Sequence, residues 1–220
     1  MIGYAVDVFL ILLFFSLFGF LHSYFASNLA KRIIIHRYGN LIAFYRFFYV
    51  LSSLILFYVI YIAVPHPNLI IYDLPYPYDF LILIPQFLSL AGIIWTLKYF
   101  SLKEFLGINQ IFRWLNKEYD VNELDERLTL HIDGPYKFSR HPVYFFSIMF
   151  LTFRPEMDLF YLIMLICLTA YFIIGSYYEE KKLVAKFGSV YIEYQKKRFE
   201  NFANQTSFLG KDRNFRMKFL

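Results

Sequence analysis

Apolar residues run through this chain in long blocks separated by short polar punctuation. A bilayer core takes roughly 20 apolar residues as a helix. Val6–Phe25, Tyr45–Val64, Tyr78–Phe100 and Leu159–Tyr178 each meet that length. Pro85 lies near the start of the third block and predicts a local kink. A shorter apolar run, Tyr144–Phe153, is joined to the last block by Arg154-Pro155-Glu156-Met157-Asp158, which reads as a tight polar turn. The short run and the last block therefore form a helical hairpin. The expectation is an all-α integral membrane protein with five spans, the fourth atypical, followed by an interfacial C-terminal segment.

Charge placement supports that count. Lys31, Arg32 and Arg37 follow the first span, whereas Pro65–Pro77 after the second holds only Asp73. Lys103, Arg113, Lys117, Arg127, Lys137 and Arg140 follow the third. Arg154 alone sits in the turn after the fourth, and the segment after the fifth is densely basic from Lys181 to Lys218. Basic loops stay cytoplasmic. The alternation predicts an outside N-terminus, a cytoplasmic C-terminus and five crossings; four crossings would put the poor turn and the basic tail on one side. The first block has no basic n-region, with Asp7 in its place, so it reads as a retained helix rather than a cleaved signal. The chain divides into three N-terminal spans (1–100), a cytoplasmic connection (101–142), the hairpin with its C-terminal part (143–198) and a basic tail (199–220), all within one domain.

Composition agrees. Of 220 residues, 59% are hydrophobic and 18% charged, against about 45–50% and 25% in soluble domains. The formal net charge of +5 is explained by topology and by attraction to anionic headgroups. Because the basic residues lie beside apolar spans, it argues little for nucleic-acid binding. The single cysteine, Cys167, excludes an intramolecular disulfide and a cysteine-rich metal site, and reads as a packing residue. No glycine-rich nucleotide loop, His-Glu-x-x-His or Gly-x-Ser-x-Gly is present.

The candidate chemistry gathers at span ends. Gly134-Pro135-Tyr136-Lys137-Phe138-Ser139-Arg140-His141-Pro142-Val143-Tyr144 opens the hairpin and Glu179-Glu180 closes it. Pro142 suits a first helical turn. Arg140 alone would serve as a headgroup anchor. Two adjacent acids at the end of a span, however, oppose the helix dipole and call for a reason. That reason is either pairing with Lys182, Lys186 or Arg140 along a continued helix, or the holding of a cationic or hydroxyl-rich ligand. Lys181–Arg198 carries Leu183, Phe187, Tyr191 and Tyr194 near helical spacing and reads as an interfacial amphipathic segment broken at Gly188. His22-Ser23, Tyr45-Arg46 and Asn109-Gln110 fall on the same predicted side.

These two halves, Gly134-x-Tyr136-x-x-x-Arg140-His141-Pro142-x-Tyr144 and Glu179-Glu180-x-x-Leu183-x-x-x-Phe187-Gly188-x-x-Tyr191-x-x-Tyr194, resemble the isoprenylcysteine carboxyl methyltransferase and phospholipid methyltransferase superfamily. His22-Ser23, Lys31, Tyr45-Arg46-x-x-Tyr49-x-x-x-Ser52 and Phe105-Leu106-Gly107-x-x-Gln110 are similar to its NnrU-like branch, which includes methanethiol S-methyltransferases. The likeness departs at Lys197–Asn201, where the family often has a Val-Pro step. It departs also at Gly92, which stands without the Gly-x-Gly of phospholipid N-methyltransferases. The resemblance implies an S-adenosylmethionine-dependent membrane methyltransferase. Its cofactor would be held by Gly134, Pro135, Tyr136, Arg140, His141, Pro142, Tyr144, Glu179 and Glu180, with His22, Tyr45, Arg46 and Gln110 nearer the acceptor. That acceptor, a small thiol or another lipophilic molecule, would enter from lipid. His22, His141 and Glu180 are candidate bases. Isoprenylcysteine carboxyl or phospholipid amine methylation, an NADPH-dependent membrane reductase sharing the Arg-His-Pro step, and a non-catalytic scaffold are the competing expectations.

Overall fold

The computed structural model describes residues 2–121, 127 and 129–197; the predicted basic tail, 199–220, lies outside them. The protein is an all-α membrane protein, with four helices long and apolar enough to cross a bilayer. Helix α1 (Ile2–Ala26) is followed by α2 (Asn28–Tyr38), a 3-10 turn (Gly39–Phe44) and α3 (Tyr45–Ala63). The basic stretch after the first span is thus helical rather than a loop, started by Ser27, whose Oγ accepts from Ala30 N. A strand β1 (Ile70–Asp73) precedes α4 (Tyr78–Leu81) and α5 (Leu83–Leu97). The break at Ile82 between α4 and α5 falls just ahead of Pro85, which has no N–H for the preceding turn. Short helices α6 (Leu102–Phe105) and α7 (Ile108–Leu115) follow. Then come a 3-10 turn (Gly134–Lys137), α8 (Pro142–Thr152), strand β2 (Glu156–Asp158) and α9 (Leu159–Phe187). Beyond Gly188 a last helix, α10, covers 189–197.

Side-chain register fixes the direction of each pass. Phe18 and His22 of α1 meet Phe57 and Tyr49 of α3, so these two helices are antiparallel. Gln86 donates to the Phe150 carbonyl at 3.3 Å while Gly92 abuts Phe146, so α5 and α8 are antiparallel too. Phe15 meets Phe160 and Gly19 meets Tyr171, so α1 and α9 run the same way. The helices α1, α3, α5, α8 and α9 thus alternate in direction. The α8 pass is the short one: its 11 residues rise about 16 Å, half a bilayer core, and it lies along α5 under cover of its neighbours.

The two charge-poor loops meet. β1 pairs antiparallel with β2, placing Tyr72 opposite Met157 and Asp73 opposite Glu156. A membrane chain whose loops hydrogen-bond to each other must have them on one face, as the charge alternation requires. The turn itself is set by Asp158, whose carboxylate accepts from Tyr161 N at 2.7 Å, and by Arg154, 3.5 Å over the Tyr161 ring. Near this end sits the apolar core, formed by Ile11, Phe15, Ile60, Val64, Phe160, Ile163 and Met164. Large side chains elsewhere, such as Phe9, Phe20, Leu54, Phe87, Leu88 and Ile173, point outward from the bundle, as a lipid-facing surface demands.

Candidate functional site

The opposite end of the bundle collects the polar groups. Gly134 starts its 3-10 turn at φ +58°, with the Tyr99 ring packed where a Cβ would stand. Phe138 N and Ser139 N both return to the Pro135 carbonyl, and buried Pro142 opens α8. Arg140 and His141 are thereby held at the foot of α8, facing α9.

There the two predicted feet of the hairpin meet. Arg140 Nε donates to Glu180 Oε1 at 2.7 Å, and His141 Nε2 donates to the same oxygen at 3.0 Å. His141 Nδ1 lies 3.3 Å from Glu179 Oε2. Gln195 Nε2 of α10 donates to Glu180 Oε2 at 3.0 Å. A neutral imidazole has one N–H, so bonding to carboxylates through both nitrogens requires imidazolium. Burial, the largest single influence, works against that charge. The hydrogen bonds and charges of Glu179 and Glu180 together outweigh it and hold His141 above the usual histidine value. Two cations and two carboxylates therefore balance at this foot.

Helix α9 continues past Glu179-Glu180 to Phe187, so the acids sit inside the helix and the dipole penalty expected from their placing at a helix end does not arise. The pairing with Arg140 envisaged for a continued helix is present. Gly188 ends α9 at φ +58°, as expected from the sequence. Helix α10 then turns inward, burying Tyr191 and Tyr194. Tyr194 Oη donates to the Tyr136 carbonyl at 2.7 Å, clamping α10 over the Gly134–Lys137 turn. The Tyr136 hydroxyl titrates above its usual range, by burial first and then by the charge of Glu179. Tyr191 is 1% exposed, yet its hydroxyl lacks a hydrogen-bonding partner among the described residues. Burial, then the charge of Glu180, pushes that hydroxyl well above the ordinary tyrosine range.

Tyr144 stacks on His141 at 5.5 Å and on Phe172 at 4.7 Å, both within 8° of parallel. Phe172 and Gln195 escaped the sequence reading. Phe172 lies seven and eight residues before Glu179 and Glu180, a helical spacing that places all three on one face. Gln195 carried no comparable signal.

The predicted acceptor-side residues are not all brought together. Tyr45 Oη donates to the Phe25 carbonyl at 2.7 Å and Arg46 Nε to the Phe105 carbonyl at 2.9 Å, tying α3 to the end of α1 and to α6. Gly107, at φ +81°, lets its backbone press against Arg46 and Phe47. Gln110 is buried and donates to the Glu104 carbonyl at 3.1 Å and to Glu104 Oε1 at 3.3 Å. Arg113 grips both Glu104 oxygens, at 3.0 and 2.8 Å, and Arg127 N donates to Oε1 at 3.0 Å. Burial would raise the Glu104 carboxyl, but these donors bring it down to about 2. His22 stands apart from this knot, between Ser53 and Tyr49 of α3 and beneath Tyr171 of α9. No cluster of three or more His, Cys, Asp or Glu able to hold a metal occurs among the described residues.

Sixty-one residues of the chain are 43% identical to a methanethiol S-methyltransferase of Pseudomonas deceptionensis. The match covers 28% of this chain and 23% of that protein. No protein-family model matches, and no solved structure matches significantly. The similarity supports a relationship to a methyltransferase over that part of the chain.

Proposed function

We propose that this protein is an integral-membrane methyltransferase that uses S-adenosylmethionine and methylates a small thiol or a comparably lipophilic acceptor. The observation that carries the reading is the meeting of Arg140-His141 with Glu179-Glu180 beneath Tyr191, whose buried hydroxyl has no hydrogen-bonding partner among the described residues. The partial likeness to a methanethiol S-methyltransferase supports it and suggests the thiol.

The residues fit the cofactor on their own chemistry. A balanced set of two cations and two carboxylates suits an amino-acid zwitterion. Arg140 is engaged through Nε, and its terminal amino groups suit a carboxylate. Glu179, with 46% of its side chain exposed, suits an ammonium or ribose hydroxyls. The Tyr191 hydroxyl is a further polar partner, and Gly134, Pro135, Tyr136, Pro142 and Tyr144 shape the wall. When bound, the cofactor would supply an electrophilic methyl on a cationic sulfur. The chain's task is alignment and exclusion of water, which raises the reactivity of a desolvated thiolate. His141, already protonated and shared by two carboxylates, is the wrong state for a base, and Glu180 is committed to three donors.

The basic connections, the site and the C-terminus lie on the cytoplasmic face, with the N-terminus and the β1–β2 ribbon outside. Equilibrium binding of S-adenosylmethionine to Arg140→Ala and Glu180→Ala proteins tests the site: weakened binding is expected, and wild-type affinity in both would overturn it.

A further inference from the structure

Outside the ion cluster and the Glu104 knot, a further group of polar side chains converges inside the bundle: His22 and Ser23 of α1, Tyr49 and Ser53 of α3, and Tyr171 of α9. At the ribbon end the same helices meet in the apolar core cluster. Polar groups placed within spans are costly and mark function.

Counting protons fixes the state of His22. Ser53 Oγ donates its only hydrogen to the Tyr49 carbonyl at 2.7 Å. Its contact with His22 Nδ1 at 2.9 Å must then be accepted by the serine, so the proton is on Nδ1. Nε2 is left as a bare lone pair, and the Tyr49 hydroxyl, 2.7 Å away, donates to it. The His22 carbonyl, 3.3 Å from Tyr49 Oη, is a second acceptor for the same hydrogen, and the shorter contact is the one to Nε2. The imidazole is stacked on Phe18 and met edge-on by Tyr171, so it cannot turn. Tyr171 is the neighbour of Phe172, which stacks on Tyr144, and Tyr144 on His141. Adjacent positions of α9 thus meet His22 directly and, through Tyr144, His141 of the ion cluster.

We propose that Tyr49 and His22 form a proton relay for the methyl acceptor. This rests on the reading of the protein as a thiol methyltransferase. The acceptor's S–H bond breaks, and its proton passes to Tyr49 Oη as the tyrosine's own proton moves to His22 Nε2. The electron pair left on sulfur forms the new bond to the methyl, whose former bonding pair stays with the donor's sulfur. Imidazolium is then held by Ser53 at Nδ1 and by Tyr49 at Nε2, and as product leaves it gives up its proton through Tyr49 Oη to water entering the vacated site. Tyr49 is the group that touches substrate; His22 acts through it.

Two measurements test this. Imidazole nitrogen NMR of the full-length protein, with His22 assigned by difference from His22→Gln, should show the Nδ1–H tautomer, and it needs neither cofactor nor turnover. An Nε2–H tautomer would overturn the relay. Methyl transfer by Tyr49→Phe and His22→Gln to an alkanethiol should fall about a hundredfold or more, the range of general base catalysis. S-adenosylmethionine binding should be retained, which reports that the variants are folded. An acidic aryl thiol, ionised without help, should be methylated by Tyr49→Phe within a few-fold of wild type. Equal losses for both thiols would overturn the relay in favour of a packing role. If wild type methylates no thiol at all, the parent reading falls and the catalytic role with it, whereas the tautomer result still judges the proton arrangement by itself.

Discussion

Replacing Glu180 by glutamine keeps its shape and removes its charge. The carboxylate accepts from Arg140 at 2.7 Å, His141 at 3.0 Å and Gln195 at 3.0 Å, with 20% of the side chain exposed. Breaking a buried ion pair costs about 3–5 kcal/mol, and an exposed one about 0–1. Arg140, 34% exposed, puts this cluster between those limits, so Glu180→Gln should cost about 2 kcal/mol. Glu179→Gln loses one contact at 3.3 Å from a side chain 46% exposed and should cost about 0.5 kcal/mol or less. Unfolding of the purified proteins in detergent would measure the difference. His141 supplies the second readout. Its folded value is raised, so its contribution is complete below the ordinary histidine value and is lost as pH rises through the folded one. Glu180→Gln should bring the His141 titration downward, seen by NMR, and shift that loss to lower pH. A Glu179→Gln protein as destabilised as Glu180→Gln, or a His141 titration unmoved by either change, would refute the reasoning.

The Glu104 knot predicts a different pH response. Its carboxyl is lowered to about 2, so its stabilisation is present above the ordinary carboxylate value and is lost as pH falls through about 2. Glu104→Gln should cost up to about 3 kcal/mol at neutral pH, measured by chemical unfolding, and should flatten the acid limb of the stability profile. Gly92 faces the Phe146 ring, 2.5 Å from where a Cβ would lie, so Gly92→Ala should force α5 and α8 apart at about 1–3 kcal/mol, seen as a lower melting temperature. Tyr194→Phe removes the bond to the Tyr136 carbonyl and should speed amide exchange across 189–197 while costing about 1 kcal/mol.

Much of this architecture was legible because bilayer physics writes it in long apolar blocks. Span number, the break near Pro85, the hairpin and the stop at Gly188 follow from length, proline and glycine alone. The meeting of Arg140-His141 with Glu179-Glu180 followed from hairpin geometry. Other features depend on tertiary contact and leave no periodic trace. Residues 28–44 carry too many charges to read as a span, yet Ser27 starts a helix there. Glu179-Glu180 read as a helix end because hydropathy stops at Tyr178, but hydrogen bonding carries α9 on to Phe187. Gln110 and Arg46 are expected near the acceptor from their side of the membrane and from the resemblance; their contacts with Glu104 and the Phe105 carbonyl are set by the folding of 101–115, which the sequence does not show. The β1–β2 ribbon joins segments that are distant in sequence, and neither has a strand-like alternation to announce it.

The central claim concerns the group transferred. Purified protein in lipid would be given S-adenosylmethionine labelled in its methyl group, together with a small thiol, a prenylated cysteine or an amine-headgroup phospholipid in separate reactions. The account predicts label in the thiol and loss of that transfer in Arg140→Ala and Glu180→Ala. Absence of label in all three acceptors, with binding of NADPH in place of S-adenosylmethionine, would contradict it.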